Sequence, residues 1–417
     1  MNLKIRLRSA GETLKITETV AHSNEFLPGS RPSVIRSQLR EAHPLDGRAS
    51  GPWLDTLTAM AIPTEQIGSI PRPLELIEAI GAHQSGNLSK DALDAEYDAA
   101  LKDTIARLEQ TGSPLLSDGE QTKPSFATYP LSGLTNLASD GVVIPFADGH
   151  QRQLPRLTAG PFHYAVHAVE YLKAARNYTK RPVKQAVISA SALSLLYPAS
   201  GIPGYSQEAF IADLLDEAEA DIRGALDAGA ANVQIDFTEG RLSLKLDPSG
   251  GLLRSFVSLN NQVLDRFSDA ERVKIGVHVC PGGDHDSTHS ADVDYTTFLP
   301  DLFKMRVGRF YLQMASEPNK ERVLSQVREL SAQLSGREHR IFIGVVDPID
   351  PRVEAPEEIR DRVLEAASYL PIERLGTTDD CGFAPFADDV STAREIAFQK
   401  IQARVEGTAL AEKQLGI

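Results

Sequence analysis

From about residue 63 to the C-terminus, short apolar runs alternate with amphipathic helical stretches, and this alternation restricts the fold more than any other feature of the 417-residue chain. Strands separated by helices are delivered to a sheet in parallel, because each helical crossover carries the chain back to the edge it left. Eight runs fit the strand pattern, at residues 66–70, 114–118, 183–189, 232–237, 273–280, 309–314, 340–346 and 375–379. Helical periodicity fills several of the gaps, at 90–111, 206–228, 320–334 and 355–370, and a terminal helix is expected over 400–414. The pattern predicts an α/β fold, a TIM (β/α)8 barrel over residues 63–417. One gap departs from it: within residues 131–163 the run DGVVIPFADGHQRQLPR reads as two short strands around Asp148-Gly149, a β-hairpin inserted on the barrel rim. Residues 1–62 carry scattered charge and loop-forming clusters without periodicity, which predicts an N-terminal extension, flexible or peripherally docked.

Composition removes several classes of function. The formal charge of −14, from 43 basic and 57 acidic residues, argues against a nucleic-acid surface, which needs concentrated positive charge. Two cysteines in the whole chain exclude a disulfide scaffold and suggest a reducing, cytoplasmic setting. No apolar run approaches the roughly 20 residues that span a bilayer, so no membrane partner is expected. The first residues lack the apolar middle of a signal peptide.

Barrels of this class place their chemistry at the C-terminal ends of the strands. The residues at or just past those ends are Ser69, Glu120, Ser189, Asp236, His278 with Cys280, Gln313, Asp347 and Cys381. His278 and Cys280 are two apart on one strand, so both side chains leave the same face. Cys381 ends the eighth strand, where Cys381-Gly382 turns sharply. Imidazole and thiolate are the donors that zinc prefers, and a His/Cys/Cys set leaves a fourth position open, as in catalytic sites. A His-x-Cys pair alone is more often buried packing; the second cysteine at the same mouth brings the metal reading level with that one. In the loop GGDHDSTHSAD, His285, Asp286 and His289 read as loop hydrogen bonders or substrate contacts, while Asp284 and Asp286 are candidates to orient His278 from outside the ligand set.

These residues resemble the C-terminal catalytic barrel of cobalamin-independent methionine synthase, in its single-barrel, zinc-dependent thiol alkyltransferase form. The landmarks are Ile67-Gly68-Ser69, Asp118-Gly119-Glu120, Gln234-Ile235-Asp236, His278-Val279-Cys280, Gly344-Val345-Val346-Asp347 with Pro351-Arg352, and Asp380-Cys381-Gly382. The resemblance covers residues 63 to the C-terminus and implies zinc (Zn2+) held by His278, Cys280 and Cys381. It implies that homocysteine is held by the backbone near Ile67 and Ser69 together with Glu120 and Asp236. Zinc would then lower the pKa of the substrate thiol, which attacks the alkyl carbon of a donor.

Three positions depart from the family. Gln313 stands where the family places a glutamate as a further zinc ligand, and its amide oxygen is expected to serve as a neutral ligand. The turn Asp347-Pro348-Ile349-Asp350-Pro351-Arg352 lacks the proton-donating histidine, leaving Asp350 as its replacement. The folate-stacking tryptophan is replaced near Leu196, with Tyr197 as the alternative stacking ring. The expected activity is therefore methyl or alkyl transfer to a small-molecule thiol, homocysteine S-methylation above all, from a folate, a corrinoid carrier or another small donor. The alternatives are epoxide opening by a thiol, as in the epoxyalkane–coenzyme M transferases, and a non-catalytic ligand-binding barrel.

Overall fold

A computed structural model describes residues 61–417; the extension expected over residues 1–62 lies outside the described residues, its last two positions excepted. Seven parallel strands form one curled sheet: β1 (Thr64–Glu65), β2 (Gln185–Ile188), β3 (Val233–Asp236), β4 (Ile275–Val279), β5 (Arg309–Leu312), β6 (Arg340–Val346) and β7 (Leu375–Asp379), in the order β1-β7-β6-β5-β4-β3-β2. The 114–118 segment spans the gap between the two edges. Leu116 bridges Val183 in parallel, while Ile70 N donates to Gly119 O at 3.0 Å and Ser117 Oγ to Gly68 O at 3.0 Å. The result is a TIM-like barrel. All residues of β2, β3, β4 and β7 are buried, as expected for a parallel sheet covered by helices on its outer face.

Two strand expectations shift. The first was expected at 66–70, yet its ladder to β7 is made by Thr64 and Glu65. Past that point the chain leaves the sheet to cross the mouth, and Ser69 O accepts from Phe383 N. The second, at 114–118, is reduced to one bridge because local side chains capture the backbone: Ser117 Oγ accepts from Gly119 N at 3.2 Å and Asp118 Oδ1 from Glu120 N at 3.2 Å.

The helices expected from periodicity are present as α1 (Lys90–Gln110), α2 (Gln207–Asp227), α3 (Lys320–Gln333) and α4 (Pro356–Ala367). The terminal helix, α5 (Arg394–Leu415), begins earlier than periodicity suggested. In α1 and α2 the preceding Ser89 and Ser206 cap the first turn through their side-chain oxygens. The inserted hairpin is present too: Val143–Pro145 pairs antiparallel with Gln151–Gln153 around Gly149, whose φ of 97° favours glycine. Among the described residues no helix is long and apolar enough to cross a membrane.

The barrel interior below the mouth is unexpectedly polar. Glu65 accepts from Tyr311 OH at 2.6 Å, Arg309 Nη1 at 2.9 Å and Asn232 Nδ2 at 3.2 Å, with Lys184 Nζ 3.7 Å away. Burial lowers the Lys184 ammonium to about 8 despite Glu65.

Candidate metal centre

His278 lies on β4, Cys280 just past its end, and Cys381 two residues past β7. The two strands deliver their ends to the same mouth, where one donor atom from each residue lies within 4.8 Å of the others. The Cys280 and Cys381 sulfurs are 3.0 Å apart. That separation exceeds the roughly 2.05 Å of a disulfide. It falls short of the about 3.8 Å that two thiolates take on tetrahedral zinc with bonds of about 2.3 Å, so less than an ångström of movement fits both to one ion.

Asp236 is the parallel register partner of His278, and its Oδ1 lies 3.0 Å from His278 Nδ1. A carboxylate there fixes the ring and leaves Nε2 turned to the other side, the arrangement found behind metal-bound histidines. This corrects the expectation for Asp284: its oxygens go to Arg152 and His150, at 2.5 Å and 3.0 Å, and Asp236 holds the imidazole. Burial pulls the His278 pKa down, but hydrogen bonds to Asp236 and Cys381 outweigh it and raise it to about 9. The hydrogen bond with Cys280, together with burial, pushes the Cys381 thiol well up. An imidazole braced by a carboxylate, with two sulfurs beside it, is a donor set that fits a soft divalent cation.

A cavity of about 570 Å³, counting its open mouth, adjoins the centre. Its floor is polar, with Ser69, Glu120, Asp236, His278 and Cys381, and Ile67 lines it too. Gln234 Nε2 ties this floor together, donating to Ile67 O at 3.1 Å and Asp236 Oδ1 at 2.8 Å. Glu120 sits at φ 55°, a left-handed conformation that is strained for a side-chain-bearing residue and is commonest at functional sites. Its carboxylate is pushed up by burial against the pull of Lys123 Nζ at 3.3 Å. Gly382 suits the close approach after Cys381: a Cβ there would lie 2.0 Å from Ser69 Oγ and 3.2 Å from its Cβ, so any larger residue would have to displace Ser69.

The roof of the cavity was not foreseen. Phe126, Ile144, Phe146 and Phe386 form it, two of them from the inserted hairpin, with Arg152 beside them. Arg152 also pairs with Asp388 through two hydrogen bonds of 2.9 Å and lies over the Phe386 ring. His289 lines the cavity, and burial lowers it to about 4, so its imidazole is neutral. His285 instead points toward Arg152 and Asp389 at the rim.

Three expected residues lie elsewhere. Gln313 is buried, but its amide is engaged by Arg241 and Ser316, and it does not line the cavity. Asp350 is half-exposed on the turn after β6, accepting from Arg352 N at 2.9 Å, and is not at the cavity wall. Tyr197 packs on Phe210 and donates to Tyr205 O at 2.7 Å, inside the helical layer, because its neighbour Leu196 is core.

Comparison with known proteins places these observations in a family. The family model described as cobalamin-independent synthase, catalytic domain, matches residues 62–398. Methionine synthase of Sulfurisphaera tokodaii is 23% identical over 358 residues, covering 85% of this chain and 94% of the relative. That of Pyrococcus furiosus is 24% identical over 360 residues, with the same coverage of 85% and 94%. A B12-independent methionine synthase structure from a Shewanella species, in complex with selenomethionine, superposes with a TM-score of 0.65 at 20% identity, covering 86% of this chain and 99% of that one.

Proposed function

Because the chain belongs to the family of cobalamin-independent synthase catalytic domains, we propose that it transfers a methyl or other alkyl group to a small-molecule thiol, homocysteine first, with zinc held by His278, Cys280 and Cys381. The observation that carries the reading is the convergence of these three donors beside a pocket floored by two carboxylates. Its relatives named methionine synthase support the methyl and homocysteine parts.

Glu120 and Asp236 take the ammonium group of the substrate, and the backbone near Ile67 and Ser69 takes its carboxylate. Asp236 serves two neighbours at once. Its Oδ1 is used by Gln234 and His278, and among the described residues its Oδ2 accepts from no protein group, leaving it for the ligand. Bound zinc would lower the thiol pKa so that sulfur reacts as a thiolate near neutral pH. Sulfur then bonds to the alkyl carbon, and the donor leaves with the electron pair of the broken bond. The phenylalanine roof keeps water from the reacting atoms and holds donor and sulfur in line. Asp350 is the acid nearest in sequence to the missing proton donor, but it stands off the cavity wall on a turn that Lys400 Nζ ties at Asp347 O and Arg352 O, so the proton for the departing donor is assigned to solvent at the mouth.

Opening of an epoxide by a thiol is the second reading, and the roof favours it. Arg152 is the one lysine or arginine among the described residues lining the cavity, and its guanidinium is committed to Asp284 and Asp388. A compact, uncharged electrophile therefore suits the wall better than a polyanionic donor.

The test is metal content and thiol consumption on the purified chain. Wild type is expected to hold one zinc, and Cys280→Ser and Cys381→Ser to lose it along with activity. Homocysteine with methylfolate, against thiol with epoxide, separates the two readings. A wild type that holds no zinc and behaves like both variants overturns the proposal, leaving a ligand-binding barrel.

A further inference from the structure

Gln313 stands in the middle of a hydrogen-bonded chain that ends at the metal centre. Arg241 Nη1 donates to Gln313 Oε1 at 2.5 Å, and Gln313 Nε2 donates to Ser316 Oγ at 2.7 Å. Ser316 Oγ donates to Asp380 Oδ2 at 2.7 Å. Asp380 also accepts from the backbone N–H groups of Met314, Ala315 and Ser316, each at 2.8 Å. It immediately precedes Cys381, and its carbonyl oxygen lies 3.4 Å from His278 Nε2.

We infer that Gln313 is a positioning residue: its amide couples the buried Arg241 to the Ser316–Asp380 grip that places Cys381, and it is not a fourth metal ligand. The inference rests on the zinc reading given above.

Donor and acceptor accounting supports the role. Ser316 Oγ has one hydrogen, and Asp380 takes it, so toward residue 313 this oxygen can only accept. Arg241 can only donate. The residue between them must accept at one end and donate at the other, and a side-chain amide does both. A glutamate would face Ser316 with a lone pair and set a second carboxylate near Asp380. Arg241 fixes its own end of the chain: it is 2% exposed, its Nη2 donates to Val293 O at 2.7 Å, and it lies over the Tyr295 ring. Among the described residues no carboxylate comes within 4.0 Å of it. An oxygen already 2.5 Å from that cation is a poor site for a divalent ion, since the two positive charges would repel across a buried, weakly screened gap.

The experiment measures zinc affinity by chelator competition, and the visible spectrum of the cobalt-substituted protein, for wild type, Gln313→Ala, Gln313→Glu, Ser316→Ala and the Gln313→Ala/Ser316→Ala double variant. Melting temperatures establish that each variant is folded. Loss of a group that orients ligands lowers metal affinity about 10- to 100-fold. The expected result is a loss in that range for Gln313→Ala and for Ser316→Ala, with no further loss in the double variant, because both break one chain. Gln313→Glu should also weaken zinc, and the cobalt bands should keep their positions throughout. Wild-type affinity in Ser316→Ala would overturn the inference by showing that the chain does not place Cys381, and tighter zinc in Gln313→Glu or displaced cobalt bands in Gln313→Ala would overturn it by making Gln313 a ligand. A wild type without metal overturns the zinc reading itself, and the inference with it.

Discussion

Asp236 shows how much one side chain can be asked to do when a parallel sheet sets two residues side by side. Register places it next to His278, and Gln234, two residues back on the same strand, holds the carboxylate still. Asp236→Asn keeps the shape but puts an amide where a carboxylate accepted from the imidazole. Zinc affinity should fall about 10- to 100-fold, and KM for an amine-bearing thiol should rise. A variant with wild-type metal affinity would show that Asp236 serves the substrate alone. Glu120 gives the pH counterpart. Burial raises its pKa, so it loses its negative charge at a higher pH than an ordinary carboxylate as the solution is acidified. Affinity for an amine-bearing thiol should therefore weaken on lowering the pH, starting above the usual carboxylate range, while a thiol lacking the amine should not show this step. A titration in which the two thiols behave alike would remove Glu120 from the ammonium site. The convergence of candidate donors at this scale was legible, because His278 and Cys280 sit two apart on a readable strand. The orienting partner was not: the loop acids were closer in sequence, whereas Asp236 is 42 residues away and meets His278 only through strand pairing.

At the scale of elements, the inserted hairpin is what turns an open mouth into a roofed cavity. Its turn was readable from Asp148-Gly149 between alternating residues, but its seat was not. Arg152 reaches Asp284 across 132 positions, and only the folded barrel brings them together. The Asp284 side chain is fully buried, so removing its guanidinium leaves a buried carboxylate with only two imidazoles beside it, His150 at 3.0 Å and His285 at 3.9 Å. Arg152→Ala should open the roof more than it unfolds the barrel, since Arg152 itself is partly solvated and its Asp388 contact is exposed. Amide exchange in residues 143–153 should accelerate at least tenfold, with the strand amides of β3 and β4 little changed. Uniform acceleration across the barrel would mean that the ion pair supports the whole fold. The strand expectations that shifted have an element-scale cause as well. Runs 66–70 and 114–118 have strand composition, but their serines, acids and glycines carry the chain across the mouth, and local side-chain-to-backbone hydrogen bonds replace ladder bonds there.

For the molecule as a whole, α5 works as a clasp on the seam between the first and last strands. Periodicity marked a terminal helix but gave no reason to send a charged residue inward. Arg404 is nevertheless fully buried, 2.6 Å from Asp379 on β7, with its Nε donating to Thr64 Oγ1 on β1 at 3.0 Å. Lys400, one turn earlier, is buried against Glu354 at 2.9 Å. The strands clasped here lead directly to Ile67–Ser69 and to Cys381, so the seam sets the spacing between the cavity floor and the candidate metal centre. Burial raises the Asp379 pKa, and Arg404 opposes it. Arg404→Leu removes the cation and strands the carboxylate in the barrel wall, which should lower stability by about 3–5 kcal/mol. Adding Asp379→Asn to the same chain should recover part of that loss, because the remaining fault is then an unpaired amide instead of an unpaired charge. Urea denaturation of wild type, both single variants and the double variant measures the coupling directly. If the double variant loses the sum of the two single losses, the pair does not act as a unit, and the clasp must lie in the apolar face of α5. If it recovers as expected, the same proteins should show weakened zinc binding in Arg404→Leu that the second substitution partly restores, since an electrostatic fault at the seam is transmitted along β7 to Cys381.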